Sequence, residues 1–258
     1  KGTIPYEIIP MLKAAVKIGF NVAFVGPVRT GKTTFLTTWQ SYELPELEGV
    51  LIETDPEIPI DKILPHSPIM QLIAEGEDCI ELKKEIRRSD GDYLIMAEAR
   101  DGYTLDLALE VANVGTSRCK LCYHIKHVED FCYDIASKIH SIFGGNIDYH
   151  ITKVAKSYNY IFQFIQLKDK SKKRLKAIYE LRYDIATHEI SFHKICKYDY
   201  EKDNWSFKYC IGLDKKEFAY EEDRDAFNIF NDELLKLSQL FPMEGDNIIY
   251  PIYSKVGV

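Results

Sequence analysis

One stretch of eight residues constrains the fold of this chain more strongly than any other. It follows the apolar run 20–25 and reads Gly26-Pro27-Val28-Arg29-Thr30-Gly31-Lys32-Thr33. Glycines permit a tight turn whose N–H groups point inward, and the lysine and threonine at its end can bind phosphate oxygens and Mg²⁺. A helix directly after such a loop adds the positive end of its dipole. The stretch therefore predicts a strand, a phosphate-binding loop and a helix in succession, with a nucleoside triphosphate as ligand.

The loop supplies a defined set of candidate ligands. Lys32 is expected to reach the β and γ phosphates, and the Thr33 hydroxyl is expected to bind Mg²⁺. The remaining candidate nucleotide-binding residues of the loop are Gly26, Pro27, Val28, Arg29, Thr30, Gly31 and Thr34.

Composition argues against several classes of protein. The chain has 258 residues, a formal net charge of −7 and six cysteines at irregular spacings. An acidic balance argues against a general affinity for nucleic acid, so we expect no stable nucleic-acid partner. Irregular cysteines beside a nucleotide-binding motif indicate reduced cytosolic thiols rather than a disulfide framework. No apolar run approaches the roughly 18 residues of a membrane-spanning helix.

The first 150 residues alternate between strand-like and helix-like segments. Short apolar runs, typical of buried strands, cover 21–25, 49–53, 67–73, 93–97 and 119–125. Helical patterns between and after them cover 32–41, 78–88, 105–114 and 129–143. This alternation predicts an α/β fold with a mostly parallel sheet and crossover helices.

The pattern changes after about residue 150. Runs rich in Ile, Tyr and Phe, separated by polar turns, predict an antiparallel meander of strands over 158–167, 174–183, 188–198 and 205–211. A final amphipathic helix is predicted over 223–241. We therefore expect a P-loop core over 1–150, an antiparallel β subdomain over 151–213, and a C-terminal helix and tail over 214–258. Because residue 1 is Lys and a helix begins almost at once, we also expect this chain to lack an N-terminal part.

Acidic residues stand at the ends of two predicted strands, where ligands gather in parallel sheets. Glu98 closes the most apolar strand and is a candidate Mg²⁺-linked acid, together with the Thr33 hydroxyl. Glu57 and Glu53 flank the end of an earlier strand, from which a carboxylate could activate water beside the γ-phosphate. Asp55 is equally suited to a turn before the following proline. For all these acids, a solvated position at a strand end is the alternative.

A histidine is expected at the same edge of the sheet. His124 lies near the end of the strand after Glu98, where an imidazole can sense the γ-phosphate, although a packing role is the alternative. His127 lies outside that strand and is expected to be structural or exposed. Cys119, Cys122 and His124 invite a zinc interpretation, but residues three apart on a strand face opposite sides, which disfavours a shared ion.

Arginines near the same strand are candidate phosphate ligands. Arg87, Arg88 and Arg100 could clamp phosphates in their own subunit or reach into a neighbouring one, and solvated charges are the alternative. Arg100 stands two residues after Glu98, so we expect it at the phosphate-binding edge.

Together these segments resemble the secretion and pilus-assembly ATPase superfamily, and most nearly its CpaF-type motors of tight-adherence pili. The resemblance runs through the loop, an acidic box at 51–57, the stretch 86–100, and a histidine box whose second histidine is His124. The strands around 158–181 also resemble the C-terminal strands of that branch. It therefore extends over nearly the whole chain.

The resemblance implies a RecA-like P-loop core within a hexameric cytoplasmic ring, which hydrolyses ATP with Mg²⁺ to drive pilus assembly or protein secretion. It implies that Glu57 activates water, that Glu98 is the Mg²⁺-linked acid, and that Arg87 and Arg100 contact phosphates. An inner-membrane platform protein is the implied partner, placing the ring at the inner face of the cell membrane. The N-terminal domain that completes the nucleotide site in this superfamily is expected to be absent here.

Several positions depart from the family pattern. Thr54 and Thr116 stand where an acid and a histidine are usual, Ala97 replaces a glycine, and Tyr103 replaces a common glutamate. These departures leave open a weakly active nucleotide-binding ring scaffold. A conjugation-type ATPase is a third alternative, disfavoured by the acidic balance.

Overall fold

A computed structural model of the protein describes residues 2–86, 88, 91–113 and 116–251. Its strands are β1 (Val22–Val25), β2 (Gly49–Glu53), β3 (Ile69–Ile73), β4 (Tyr93–Ala99), β5 (Lys120–Tyr123), β6 (Tyr160–Gln166), β7 (Lys173–Tyr183), β8 (Ile190–Asp199), β9 (Asn204–Phe207) and β10 (Ile248–Ile249). Its α-helices are α1 (Ile9–Ile18), α2 (Lys32–Gln40), α3 (Ile60–Ile63), α4 (Asp78–Ile86), α5 (Gly102–Asn113), α6 (Phe131–Phe143), α7 (Ile147–Ser157), α8 (Leu213–Glu222) and α9 (Arg224–Leu240). Short 3-10 helices cover Tyr6–Ile8 and Val128–Asp130. No described helix has the length and apolar character needed to cross a membrane.

The strands form one sheet in the order β10-β8-β7-β6-β1-β5-β4-β2-β3, with β9 paired to β8. All pairs from β6 to β3 in that order are parallel, and those joining β6, β7, β8, β9 and β10 are antiparallel. The predicted fold class, a mostly parallel α/β sheet followed by an antiparallel meander and a C-terminal helix, is confirmed. Because β6 pairs with β1, the meander continues the same sheet directly beside the predicted phosphate-binding loop.

Two helices of the second half were not expected from the sequence. α7 follows a glycine pair and begins where the Asn146 side chain accepts a hydrogen bond from the backbone of Asp148, a normal N-terminal cap. α8 has a mixed polar sequence in which Ala219 is fully buried. Its amphipathic character is weak, so packing against the rest of the protein must stabilise it more than its own periodicity does.

Each face of the sheet covers a separate hydrophobic core. One core packs around α1, α2 and α9, and the other around α5, α6 and α7. In the first, the ring of Phe24 on β1 lies 5.4 Å from Phe35 and 5.7 Å from Trp39 on α2, and 5.5 Å from Phe162 on β6. These aromatic contacts fix the strand before the loop against the helix after it, and thereby hold the loop at the carboxyl end of β1.

A buried group of charges, here called the amino-edge cluster, lies at the opposite ends of the strands. Glu43 accepts hydrogen bonds from Arg118 and from Lys120, each at 2.6 Å, and all three residues are buried. Arg118 also donates to the carbonyls of Val16 and Lys17 at the end of α1. The cluster therefore ties α1 and the segment after α2 to the start of β5.

Candidate nucleotide site

The loop between β1 and α2 has the tight backbone that its glycines permit. Gly26 and Gly31 have φ angles of 145° and 93°, which disfavour residues with a side chain. A Cβ atom on Gly26 would also lie 2.3 Å from the carbonyl oxygen of Phe164 on β6. The Thr30 hydroxyl donates to the Pro27 carbonyl at 2.9 Å and closes the loop from inside.

A cavity of about 450 Å³ opens in front of this loop at the carboxyl edge of the sheet. Its lining residues come from the loop and the start of α2, from the segment after β2, from the ends of β4 and β5 and the residues directly after them, and from β7. They are Val28, Arg29, Gly31, Lys32, Thr33, Thr34, Glu57, Ala97, Glu98, Arg100, Cys122, His124 and Lys173. The structure thus gathers Glu57, Glu98, Arg100 and His124 around Lys32, although up to 92 residues separate them in the sequence.

A chain of polar contacts, here called the carboxyl-edge cluster, runs along the cavity from the loop to β4. The Lys32 ammonium lies 3.0 Å from Nδ1 of His124, and Nε2 of the same ring lies 3.2 Å from Oε1 of Glu98. The other oxygen of Glu98 accepts a hydrogen bond from Arg100 at 2.7 Å. His124 thus links the loop lysine to the acid on β4 by one ring, in the order Lys32, His124, Glu98, Arg100.

The surroundings of Lys32 and Glu98 act on their protonation in opposite ways. Burial lowers the pKa of Lys32, and the nearby Cys122 and Glu98 oppose that effect without cancelling it. Lys32 donates to the carbonyls of Gly26 and Pro27, each at 3.0 Å. For Glu98, burial works to raise the pKa, but hydrogen bonds from Arg100 and His124 outweigh burial and lower it. The site therefore holds a carboxylate beside a partly desolvated ammonium, as a site for polyphosphate and a divalent cation requires.

Glu53 and Glu57, alternative candidates in the sequence, occupy different positions. Glu53 is buried at the end of β2, where Oε1 accepts hydrogen bonds from the backbone N–H groups of Glu57 and Ile58 at 3.0 Å. Its other oxygen accepts one from the Gln71 side chain at 2.6 Å. Glu57 is exposed and lines the cavity, and within the described chain its carboxylate has no hydrogen-bond or ion-pair partner. Glu53 therefore holds the segment that presents Glu57.

Some of the predicted loop and arginine residues do not line the cavity or lie outside the described residues. Of the loop residues, Gly26, Pro27 and Thr30 do not line the cavity. Arg87 lies outside the described residues, so the structure does not place it. Arg88 is exposed and outside the cavity.

The residues raised as zinc ligands belong to different faces of the sheet. Cys122 lies in the core that covers α1 and α2, and Cys119 in the core on the opposite face. Burial raises the pKa of Cys119 to about 11 and that of Cys122 to about 12. His127 is exposed and 3.6 Å from Glu129. The two thiols and His124 therefore do not converge on one point.

Lys173 is a cavity residue that the sequence did not reveal. It begins β7, far from the loop in sequence, and lines the cavity beside Gly31. The one available signal is the run of basic residues around it, Lys170, Lys172, Lys173 and Arg174, in a chain of negative net charge. That run gives no position until the pairing of β6 with β1 is known.

The donors in the cavity suit Mg²⁺ better than a softer metal. The Thr33 hydroxyl and the Glu98 carboxylate are hard oxygen donors, and the Thr33 hydroxyl has no other partner among the described residues. No group of three or more His, Cys, Asp or Glu side chains able to hold a metal occurs in the described part of the chain. This sparse set fits a cation that binds chiefly through phosphate oxygens and water.

Comparison with known proteins adds information about the fold. No protein-family model matches the chain, and no curated protein matches it in sequence. It is similar in structure to the VirB11 ATPase of the Brucella suis type IV secretion system in complex with sulphate, with a TM-score of 0.57 and 16% identity over 70% of this chain and 57% of that chain. It is also similar to the Legionella pneumophila ATPase DotB, with a TM-score of 0.50 and 12% identity over 91% of this chain and 56% of that chain.

The chain therefore has the α/β fold of the VirB11 and DotB ATPases. It spans slightly more than half the length of each of these two proteins. Identities this low show a shared fold, and function depends on the residues of the site rather than on the fold.

Proposed function

We propose that this chain binds ATP with Mg²⁺ in the cavity and hydrolyses the ATP to ADP and phosphate, as a motor subunit for pilus assembly or protein secretion. The observation that carries the proposal is the polar chain from Lys32 through His124 to Glu98, which opens onto the phosphate-binding loop. The fold shared with the VirB11 ATPase of a type IV secretion system and with the ATPase DotB supports it.

The loop residues supply the binding part of the function. Backbone N–H groups of residues 28–34, which include the start of α2, would contact the phosphates, and Lys32 would exchange its carbonyl contacts for phosphate oxygens. The Thr33 hydroxyl and Glu98 would hold Mg²⁺, which when bound neutralises phosphate charge and polarises the bond to be broken. The proposal requires Glu98 to remain a carboxylate, which its lowered pKa favours.

The remaining residues supply the chemical part. The Glu57 carboxylate lines the cavity, has no partner among the described residues, and would orient the attacking water and accept its proton. His124 contacts both Lys32 and Glu98, so it would report whether the γ-phosphate is present. Arg100, exposed beside Glu98, would contact phosphates of its own or a neighbouring subunit, and we assign Arg87 the same role from the sequence resemblance.

The proposed assembly follows from the same resemblance. We propose a hexameric ring in the cytoplasm, held at the inner face of the membrane by a platform protein of a pilus or secretion machine. We further propose that a P-loop core of residues 1–150 acts with an antiparallel unit of residues 151–213 and the C-terminal helix and tail. The nearness of β7 to the cavity supports direct contact between the first two units.

A second candidate function is a ring scaffold that binds ATP and hydrolyses little. The observation that favours it is the engagement of both Glu98 oxygens, one by His124 and one by Arg100. Metal binding must compete with these contacts for the Glu98 carboxylate, and the site lacks a second acid at position 97.

The rate of phosphate release from ATP in the presence of Mg²⁺ distinguishes the motor from the scaffold. Turnover by the wild type should exceed that of Lys32→Ala and Glu98→Gln by about 100-fold or more, because each variant loses an interaction with the developing phosphate charge. Binding of a fluorescent ATP analogue is measured in parallel. Binding with turnover no faster than in the variants contradicts the motor and supports the scaffold, whereas absence of binding contradicts both. Stimulation of turnover by DNA would instead support a conjugation-type ATPase.

A further inference from the structure

We propose that Lys173 is an additional phosphate-binding residue of this site, supplied to the nucleotide by the antiparallel half of the same chain. This inference rests on the proposed function. Lys173 lines the same cavity as Lys32. Its side chain lies across the loop glycine: a Cβ atom on Gly31 would be 3.2 Å from Cδ of Lys173 and 4.0 Å from its Nζ. The ammonium is thus at the loop itself rather than at the cavity rim.

The fold brings Lys173 to this position through two strand pairings. β6 lies parallel beside β1, which leads directly into the loop, and β7 returns antiparallel along β6. Gly26 packs against the carbonyl of Phe164 on β6, so the loop touches the hairpin at its first glycine as well as at its second. Lys173, paired with Gln166, stands at the end of β7 nearest the loop. The hairpin and the loop are therefore built against each other.

The hairpin also fixes the backbone from which the Lys173 side chain extends. Its turn is closed by a backbone hydrogen bond from Leu167 to Lys172 at 2.9 Å, and Asp169 accepts bonds from the backbone and hydroxyl of Ser171. The next residue, Arg174, is buried and paired with Asp203 at 3.0 Å. The backbone that carries Lys173 is therefore fixed, so binding a ligand through this lysine would order only its side chain.

The charge of Lys173 is available to a ligand. Across the described residues, no carboxylate lies within 4.0 Å of its ammonium and its side chain has no hydrogen bond. The Lys32 ammonium, by contrast, already contacts two carbonyls and His124. A polyphosphate in the loop carries several negative charges, and a second ammonium beside Gly31 would donate to one of its oxygens.

Titration of the whole chain with ATP and Mg²⁺ by calorimetry tests the inference. Lys173→Met keeps most of the side-chain length and removes the charge, and it should weaken ATP binding by about fivefold or more, since a hydrogen bond from a charged group is lost. Lys172→Met is the matched control, because Lys172 is exposed and outside the cavity, and it should change the affinity less than twofold. Lys173→Arg, which retains the charge, should bind more tightly than Lys173→Met.

Two further measurements separate this inference from the proposed function. Titration with inorganic triphosphate should show the same loss in Lys173→Met, since the base and ribose are absent from that probe. Equal affinities of Lys173→Met and Lys172→Met for ATP would overturn the role of Lys173 and leave the proposed function intact. A wild type that binds neither probe would overturn both. If Lys173→Met does not fold, as judged by thermal unfolding, Lys173→Gln replaces it in the same comparison.

Discussion

Two charged clusters, at opposite edges of one sheet, differ in how completely their members are satisfied. In the amino-edge cluster, Glu43 has one cation on each oxygen, and Lys120 also lies over the ring of Tyr93 at 4.1 Å. In the carboxyl-edge cluster, Lys32 is buried but Arg100 is mostly exposed, and the group borders a cavity. A closed cluster can contribute only to stability, whereas an open one retains capacity for a ligand.

Burial of charge alone therefore does not distinguish a functional site from a structural one. Burial lowers the pKa of Lys120, with Glu43 opposing it, as burial lowers the pKa of Lys32. The difference lies in the donors and acceptors nearby. The side chains of Glu57, Thr33 and Lys173, which line the same cavity as Lys32, have no hydrogen-bond or ion-pair partner among the described residues. Substitutions at the two edges should consequently affect different properties.

The largest effect is expected from Glu43→Ala in the amino-edge cluster. This change leaves Arg118 and Lys120 buried without their carboxylate, which costs about 3–5 kcal/mol of the free energy of unfolding. Urea denaturation at pH 7 measures it. Glu46→Ala, at an exposed acid on the same segment, should stay within about 0.5 kcal/mol of the wild type. A loss below about 1 kcal/mol in Glu43→Ala would show that this cluster is not closed in the sense described.

The next largest effect is expected from Glu53→Ala. This change tests whether the number of partners that an acid has within the protein matters more than the edge of the sheet at which it lies. Glu53 lies at the carboxyl edge but is saturated, and its loss leaves the N–H groups of Glu57 and Ile58 without an acceptor. We expect a loss of about 2–3 kcal/mol in the free energy of unfolding, together with slower ATP turnover because Glu57 is no longer positioned.

Glu53→Gln is the matched control for that change. Its amide oxygen can still accept from both N–H groups, and its NH₂ can donate to Gln71 once the Gln71 amide turns over. Stability and turnover should therefore stay closer to the wild type than in Glu53→Ala. Equal losses in the two variants would instead assign the effect to the negative charge.

The sequence predicted the parts of this comparison that depend on local patterns. The glycine spacing of the loop, the apolar β4 ending at Glu98, and the strand before His124 place those groups at one edge through the rules of parallel sheets. The sequence did not predict contacts between segments that are far apart in the chain. Glu43 and Lys120 are 77 residues apart, and neither lies in a recognisable motif.

The distinct roles of Glu53 and Glu57 could not be predicted from local patterns either. Both acids flank the end of one predicted strand, and only the observed turn shows that one carboxylate is folded back onto the backbone of the other residue. Lys173 likewise depends on the pairing of β6 with β1, which no local pattern specifies. Local periodicity thus identified the elements, and long-range packing decided which polar groups remain free.

A smaller effect, on activity rather than stability, is expected from His124→Gln in the carboxyl-edge cluster. His124 orients Glu98, and loss of a residue that orients a metal-linked acid typically costs about 10- to 100-fold in activity. Phosphate release measures it, and the free energy of unfolding should change little because the ring is partly exposed. His127→Gln is the control, since that ring is exposed and outside the cavity. Equal turnover in the two variants would remove His124 from the working site.

The smallest effect is expected in the free energy of unfolding at acid pH, to which the Glu98 carboxylate contributes. Because its pKa is lowered in the folded protein, the unfolded chain holds this proton more tightly, so Glu98 stabilises the fold above about pH 4.5 and loses that contribution as the pH falls further. Its partner Arg100 is 59% exposed, so solvent screening limits the contribution to below about 1 kcal/mol.

Urea unfolding of the wild type and Glu98→Gln at pH 7 and pH 4 should show a difference in the free energy of unfolding that shrinks at the lower pH. It should also shrink in high salt, since the ion pair is near the surface. A difference that is unchanged or larger at pH 4 would mean that His124 and Arg100 do not hold Glu98 as a carboxylate, and the open cluster would then lack the charge that a metal-linked acid needs.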